Sequence, residues 1–112
     1  MQNPWDALKQ PISHSFGRPE LFYIVSFDIS DDRDRYRVVK IIKEYGIRVQ
    51  KSVFECPRLN EGQLLRLKHR LEARIDHGCD SVRYYPLCRE CLSKMEYSGV
   101  GGLPDIDNFK MI

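Results

Sequence analysis

Leu21-Phe22-Tyr23-Ile24-Val25-Ser26-Phe27-Asp28-Ile29-Ser30 is an apolar run closed by a carboxylate. Six of its first seven residues are apolar or aromatic, and most of them favour strands. The run is too short for a settled helix and reads as a strand buried on both faces, central in its sheet. Asp28 then interrupts it. A buried carboxylate is costly, so Asp28 belongs where the strand emerges, at the carboxyl end of the sheet.

The next segment is helical. Val38, Ile41, Ile42 and Tyr45 recur at i, i+3, i+4 and i+7, predicting a helix over about 32–45 with one apolar face. Asp31 is its candidate N-cap, with Asp34 three residues on, and Gly46 is expected to end it as a left-handed residue. Ile47 to Cys56 predicts two short strands, about 47–50 and 52–57, joined by a tight turn at Lys51-Ser52; a single long bent strand is the alternative. Pro57 ends the pairing or lies at an edge. A second helix is expected over about 61–76, with Asn60 and Gln63 as a capping box, Leu64, Leu67, Leu71 and Ile75 as its apolar stripe, and His77-Gly78 closing it. His69, between Lys68 and Arg70, reads as a surface histidine. Ser81–Leu87 is a further strand with Val82 and Tyr84 on one face, Arg83 and Tyr85 on the other. Residues 92–97 read as a short additional strand.

The order β-α-β-β-α-β, with an added C-terminal strand, is the α+β ferredoxin-like sandwich, both helices on one side of an antiparallel sheet. The other sheet face needs cover, and a second copy is the simplest, so a homodimer through the sheet face is expected. The chain divides into an extension (1–20), the ferredoxin-like domain (21–97) and a tail (98–112) whose apolar residues cover a sheet edge or the partner subunit.

With 112 residues the chain holds one domain, and 42% hydrophobic with 30% charged residues describes a folded rather than a disordered protein. No apolar run approaches the roughly 20 residues that cross a bilayer, so no membrane partner is expected. Met1 to Asp6 lacks the order of a secretory signal, and the protein reads as cytoplasmic. The net charge of +2 says little, but its distribution says more. Arg33 to Lys51 carries seven cations against two anions, and Arg58 to Arg74 five against two. Such segregation suits a polyanion surface, DNA or RNA, although solvated helix faces produce it too. Of the four cysteines, Cys88 and Cys91 have CxxC spacing, but a structural zinc site needs four ligands. Structural, metal and redox roles all stay open.

The chemistry centres on Asp28. If two sheets pack face to face, Asp28 and its symmetry mate flank a cleft. One carboxylate from each chain, with waters and a phosphate, is a reasonable Mg²⁺ environment, and Arg33 or Arg35 just beyond stands ready to hold phosphate. The plainer reading is that Asp28 only caps the following turn. Arg37, Lys40, Arg48 and Lys51 complete the candidate nucleic-acid surface.

Three blocks carry a family resemblance: Phe27-Asp28-Ile29-Ser30, then Tyr45-Gly46-Ile47-Arg48-Val49-Gln50-Lys51-Ser52-Val53-Phe54-Glu55-Cys56, then Asp80-Ser81-Val82-Arg83-Tyr84-Tyr85-Pro86-Leu87. Over about 21–97 the chain resembles the second universal CRISPR-associated protein, a family of CRISPR-associated endoribonucleases of the adaptation machinery. The resemblance implies a ferredoxin-like homodimer whose fifth strand packs on the neighbouring subunit. It also implies a bridge holding DNA between dimers of the larger CRISPR integrase, and, in some members, Mg²⁺-dependent cleavage of single-stranded RNA or double-stranded DNA. It maps the metal-binding aspartate onto Asp28, and other site residues onto Arg33, Arg35, Arg48, Ser52 and Phe54. The extension and the Cys88/Cys91 pair depart from it. A ferredoxin-like regulatory or toxin-like RNA-binding module is the alternative, but the anion-repelling Ser30-Asp31-Asp32 linker disfavours a phosphate-cradling ligand loop.

Overall fold

A computed structural model describes residues 20–103. The extension and the end of the tail lie outside the described residues. The elements in chain order are β1 (Leu21–Asp28), α1 (Asp32–Ile42), β2 (Ile47–Gln50), β3 (Val53–Leu59), α2 (Glu61–Glu72), β4 (Ser81–Leu87) and α3 (Arg89–Ser93). The strands form one antiparallel sheet in the order β2-β3-β1-β4, with β1 central as its apolar run requires.

Strand periodicity sorts β1 between two environments. Tyr23, Val25 and Phe27 face the helices, and Phe54 and Cys56 of β3 face the same way. Val38 and Ile42 of α1 and Leu64, Leu67 and Leu71 of α2 complete this core. Each such side chain contributes roughly 1.5–3 kcal/mol on burial. Phe27 and Phe54 meet with ring centroids 6.2 Å apart. Arg70 of α2 grips Glu44 beyond α1 with two parallel hydrogen bonds of 2.9 Å, and its Nη1 also donates to the Tyr45 hydroxyl at 3.2 Å.

The caps form as the sequence demands. Asp34 N–H donates to Asp31 Oδ1 at 2.9 Å, and Asn60 and Gln63 close a reciprocal box at 2.8 and 2.9 Å. Both helices stop short of the expected residues 45 and 76. Tyr45 and Gly46 N–H both turn back onto the Ile42 carbonyl, at 2.8 and 3.0 Å, which tightens the exit from α1. Gly46 corrects an expectation. Among the described glycines only Gly99 and Gly101 have positive φ. Gly46 is required by crowding instead: a Cβ there would lie 2.3 Å from the Glu55 carbonyl oxygen and 2.6 Å from Cys56 Sγ.

β2 and β3 are two strands joined at Lys51-Ser52, not one bent strand. Pro57 lies within β3, where the register with β1 slips between Tyr23↔Cys56 and Leu21↔Leu59. The slip leaves one extra residue on β3, a bulge that tolerates the missing N–H.

The strand expected over 92–97 is replaced by α3, and no strand occurs in 94–103. The physical reason is spacing. Leu92 is buried with Phe22, and Ile24, Leu87 and Met95 pack against the pair on the sheet face opposite α1 and α2; Leu92 and Met95 are three apart, and one helical turn presents both where a strand would alternate them. α3 covers only that end of the face. Ser26, Asp28, Glu55, Arg83 and Tyr85 lie on the rest of it.

Candidate functional site

Asp28 is the last residue of β1 and is exposed. β1 runs beside β4 with Asp28 opposite Ser81, Ser26 opposite Arg83 and Ile24 opposite Tyr85. The two-residue period therefore sets Ser26, Asp28, Arg83 and Tyr85 on one face, the one turned away from α1 and α2. Diagonal neighbours on a sheet lie about 7–8 Å apart, which puts Arg83 within reach of whatever binds at Asp28. Ser26, Phe27, Asp28, Ser81, Arg83 and Tyr85 line a depression of about 220 Å³. Arg83 Nη1 donates to the Tyr85 hydroxyl at 3.4 Å, which holds the guanidinium more firmly protonated. Further along the face, burial pushes the Glu55 carboxyl above its ordinary range.

The loop after Asp28 is built rather than slack. Asp80 Oδ1 accepts from Ser30 N–H at 3.1 Å and from its hydroxyl at 3.2 Å, while Oδ2 accepts from Asp76 N–H at 2.9 Å. These bonds, that of Asp76 first and those of Ser30 next, hold the Asp80 carboxyl below the usual carboxylate range.

The remaining candidates separate by task. Arg35 donates to the Ile29 carbonyl at 3.2 Å and pairs with Asp32, so it braces the turn that follows Asp28. The Ser52 carbonyl accepts from Phe27 N–H at 3.1 Å, tying the β2–β3 turn to the residue before Asp28. Phe54 is fully buried in the helix-side core, on the opposite face from Asp28. Arg48 is committed to its own hairpin, donating to the Lys51 carbonyl at 3.1 and 2.7 Å. Lys51 is exposed at the turn. Arg33, Arg37 and Lys40 are exposed on α1 at i, i+4 and i+7. Tyr36 joins them, 66% exposed, with Lys40 Nζ 5.9 Å from its ring centroid.

Sequence reasoning missed Arg83, Tyr85 and Tyr36 as site residues. Tyr36 has a legible signal, the same i, i+3, i+4, i+7 row as its basic neighbours. Arg83 has none until the β1–β4 register is known. Among the described residues no three His, Cys, Asp or Glu side chains gather as a metal cage. Asp28 alone offers one exposed hard carboxylate beside the Ser26 and Ser81 positions. No helix among the described residues is long and apolar enough to cross a membrane.

These features define a class: a small ferredoxin-like α+β protein with a strand-end carboxylate, an adjacent arginine on an open sheet face, and a basic helix. Residues 21–95 match the family model for CRISPR associated protein Cas2. The chain is 39% identical over 90 residues to CRISPR-associated endonuclease Cas2 2 of Thermus thermophilus, spanning 80% of this chain and 94% of that one. It is 38% identical over 86 residues to CRISPR-associated endoribonuclease Cas2 1 of Chloroflexus aurantiacus, spanning 76% and 91%. The crystal structure of the hypothetical protein TT1823 from Thermus thermophilus superposes with a TM-score of 0.69 at 41% identity, covering 77% of this chain and 99% of that one. The chain belongs to the Cas2 family of CRISPR-associated proteins.

Proposed function

We propose that this Cas2-family chain is a homodimeric, Mg²⁺-dependent endonuclease of the cytoplasm that also bridges dimers of the larger CRISPR integrase on DNA during spacer acquisition. The observation that carries the nuclease reading is the exposed Asp28 carboxylate at the mouth of a depression it shares with Arg83. Names of the relatives as endonuclease and endoribonuclease support the same reading.

One chain supplies one carboxylate. Mg²⁺ is held by one or two carboxylates when phosphate and water complete its shell, so Asp28 from each of two subunits, joined through the open sheet face, suits it. Bound there, the ion would supply Lewis-acid stabilisation of the charge developing on a phosphodiester and lower the pKa of water.

The chain's own residues do the rest. Arg83 sits where it offsets negative charge on the scissile phosphate. Arg35 and Ser52 hold the backbone on either side of Asp28, so that the carboxylate is presented without reorganisation. Arg33, Tyr36, Arg37 and Lys40 form a basic and aromatic face along which a nucleic-acid backbone runs, with Lys51 at the hairpin tip.

The test is Asp28→Ala in the full chain. It is expected to remain dimeric and to bind duplex DNA as the parent does, while Mg²⁺-dependent cleavage disappears. Undiminished cleavage by the variant overturns the nuclease reading. Failure to associate with the cognate integrase overturns the bridging role.

A further inference from the structure

Two exposed thiols have no part in the function proposed above. Cys88 caps α3, and Cys91 N–H donates to Cys88 Sγ at 3.4 Å. The Cys91 and Cys88 sulfurs are themselves 3.4 Å apart. Both side chains are exposed, and both thiols are free. The other two cysteines are in different circumstances. Cys56 is buried in the core, where burial pushes its thiol up to about 12. Cys79 is tied to Ser30 and Asp80 through hydrogen bonds of 3.8 and 3.6 Å.

We infer that Cys88 and Cys91 form an oxidisable dithiol that closes to an intrachain disulfide by exchange with a small-molecule disulfide, stapling the first turn of α3 to the residue that follows β4. Geometry carries this. A disulfide needs about 2.05 Å between sulfurs, and a side-chain rotation brings together two that already touch on one helical turn. The third and fourth ligands that a zinc site requires are absent among the described residues.

The pair is also asymmetric. The N–H and thiol of Cys91, and then the N–H of Glu90, favour the Cys88 thiolate and hold its pKa below the ordinary thiol value. The hydrogen bond to Cys88, and then its charge, raise that of Cys91. Cys88 is therefore the attacking sulfur.

The chemistry balances. The Cys88 thiolate attacks one sulfur of a disulfide such as oxidised glutathione; that S–S bond breaks, a mixed disulfide forms and one glutathione thiolate leaves. Cys91, giving up its proton, attacks Cys88 Sγ and expels the second glutathione thiolate. The two cysteine protons end on the two glutathione thiols; the protein loses two electrons and the oxidant gains them. Closure fixes the turn that sets Leu92 on Phe22, at the edge of the face where Asp28 lies.

The experiment equilibrates the full chain with oxidised glutathione in excess over reduced, quenches with alkylating agent and maps the peptides by mass. The expected result is joint protection of Cys88 and Cys91 with the loss of two hydrogen masses, while Cys56 and Cys79 alkylate on unfolding. Cys91→Ser is expected to trap a glutathione adduct on Cys88. Hydrogen exchange across 88–95 is expected to slow several-fold on oxidation. Both thiols staying free, separate stable adducts on each, an interchain disulfide, or stoichiometric zinc retained by the pair would each overturn the inference.

Discussion

Asp80 Oδ1 accepts hydrogen bonds from both the backbone N–H and the hydroxyl of Ser30, at 3.1 and 3.2 Å, across a separation of 50 residues. The pair fastens the turn that follows Asp28 to the turn that precedes β4. The two strands that carry Asp28 and Arg83 are thereby locked at a common end.

Asp80→Ala removes that fastening. It leaves Asp28 in place but frees the loop beside it, so cleavage is expected to fall between about 10- and 100-fold. Tm is expected to fall as well. The pH dependence has a definite sign. The folded carboxyl lies below its ordinary value, so its stabilisation is present above the unfolded pKa of about 3.9 and is lost as pH falls through the folded value. The gap in Tm between parent and variant should therefore be steady near neutral pH and close under acid, as thermal melts across pH will register.

Arg83 is expected to matter for the chemical step and not for the fold, because it is exposed at the depression. Arg83→Ala should lower single-turnover cleavage about 100-fold, the order found when one charge-stabilising donor is removed. Urea unfolding should be unchanged. Arg83→Lys should recover part of the rate.

The basic face of α1 has a salt signature. Neutralising Arg33, Arg37 and Lys40 to glutamine should weaken duplex binding. It should also flatten the slope of log K against log salt by about 0.9 for each phosphate that is no longer neutralised. Fluorescence anisotropy over a salt series measures both. An unchanged slope would place the nucleic acid elsewhere.

Gly46→Ala forces a methyl group onto the Glu55 carbonyl and Cys56 Sγ. Overpacking of this kind costs about 1–3 kcal/mol, to be seen as a lower urea midpoint at unchanged m.

Much of this molecule is legible in its sequence because its signals are local. The apolar run of β1, the helical spacing of Val38 with Ile42 and of Leu64 with Leu67 and Leu71, and the Asp31 and Asn60 caps each act within a few residues. Asp28 falls at the strand end for the same reason. What escapes depends on packing between distant segments. Gly46 carries the sequence mark of a left-handed cap, yet its constraint comes from β3. Leu92 and Met95 fit a short strand in isolation, and only Phe22 on the sheet makes a helical turn the better fit. Arg83 joins Asp28 through the register of β4 on β1, which no local pattern encodes. Arg35 and Arg48 look like free phosphate ligands by composition, and the fold commits them to backbone carbonyls.

The proposed nuclease needs two Asp28 carboxylates, one per subunit, at one shared metal site. Titration of Mn²⁺ followed by electron paramagnetic resonance, on the full chain bound to a non-cleavable oligonucleotide, counts the ions held there. One bound ion for every two chains, abolished by Asp28→Ala, is the predicted result. One ion per chain, or binding that survives the substitution, would contradict it.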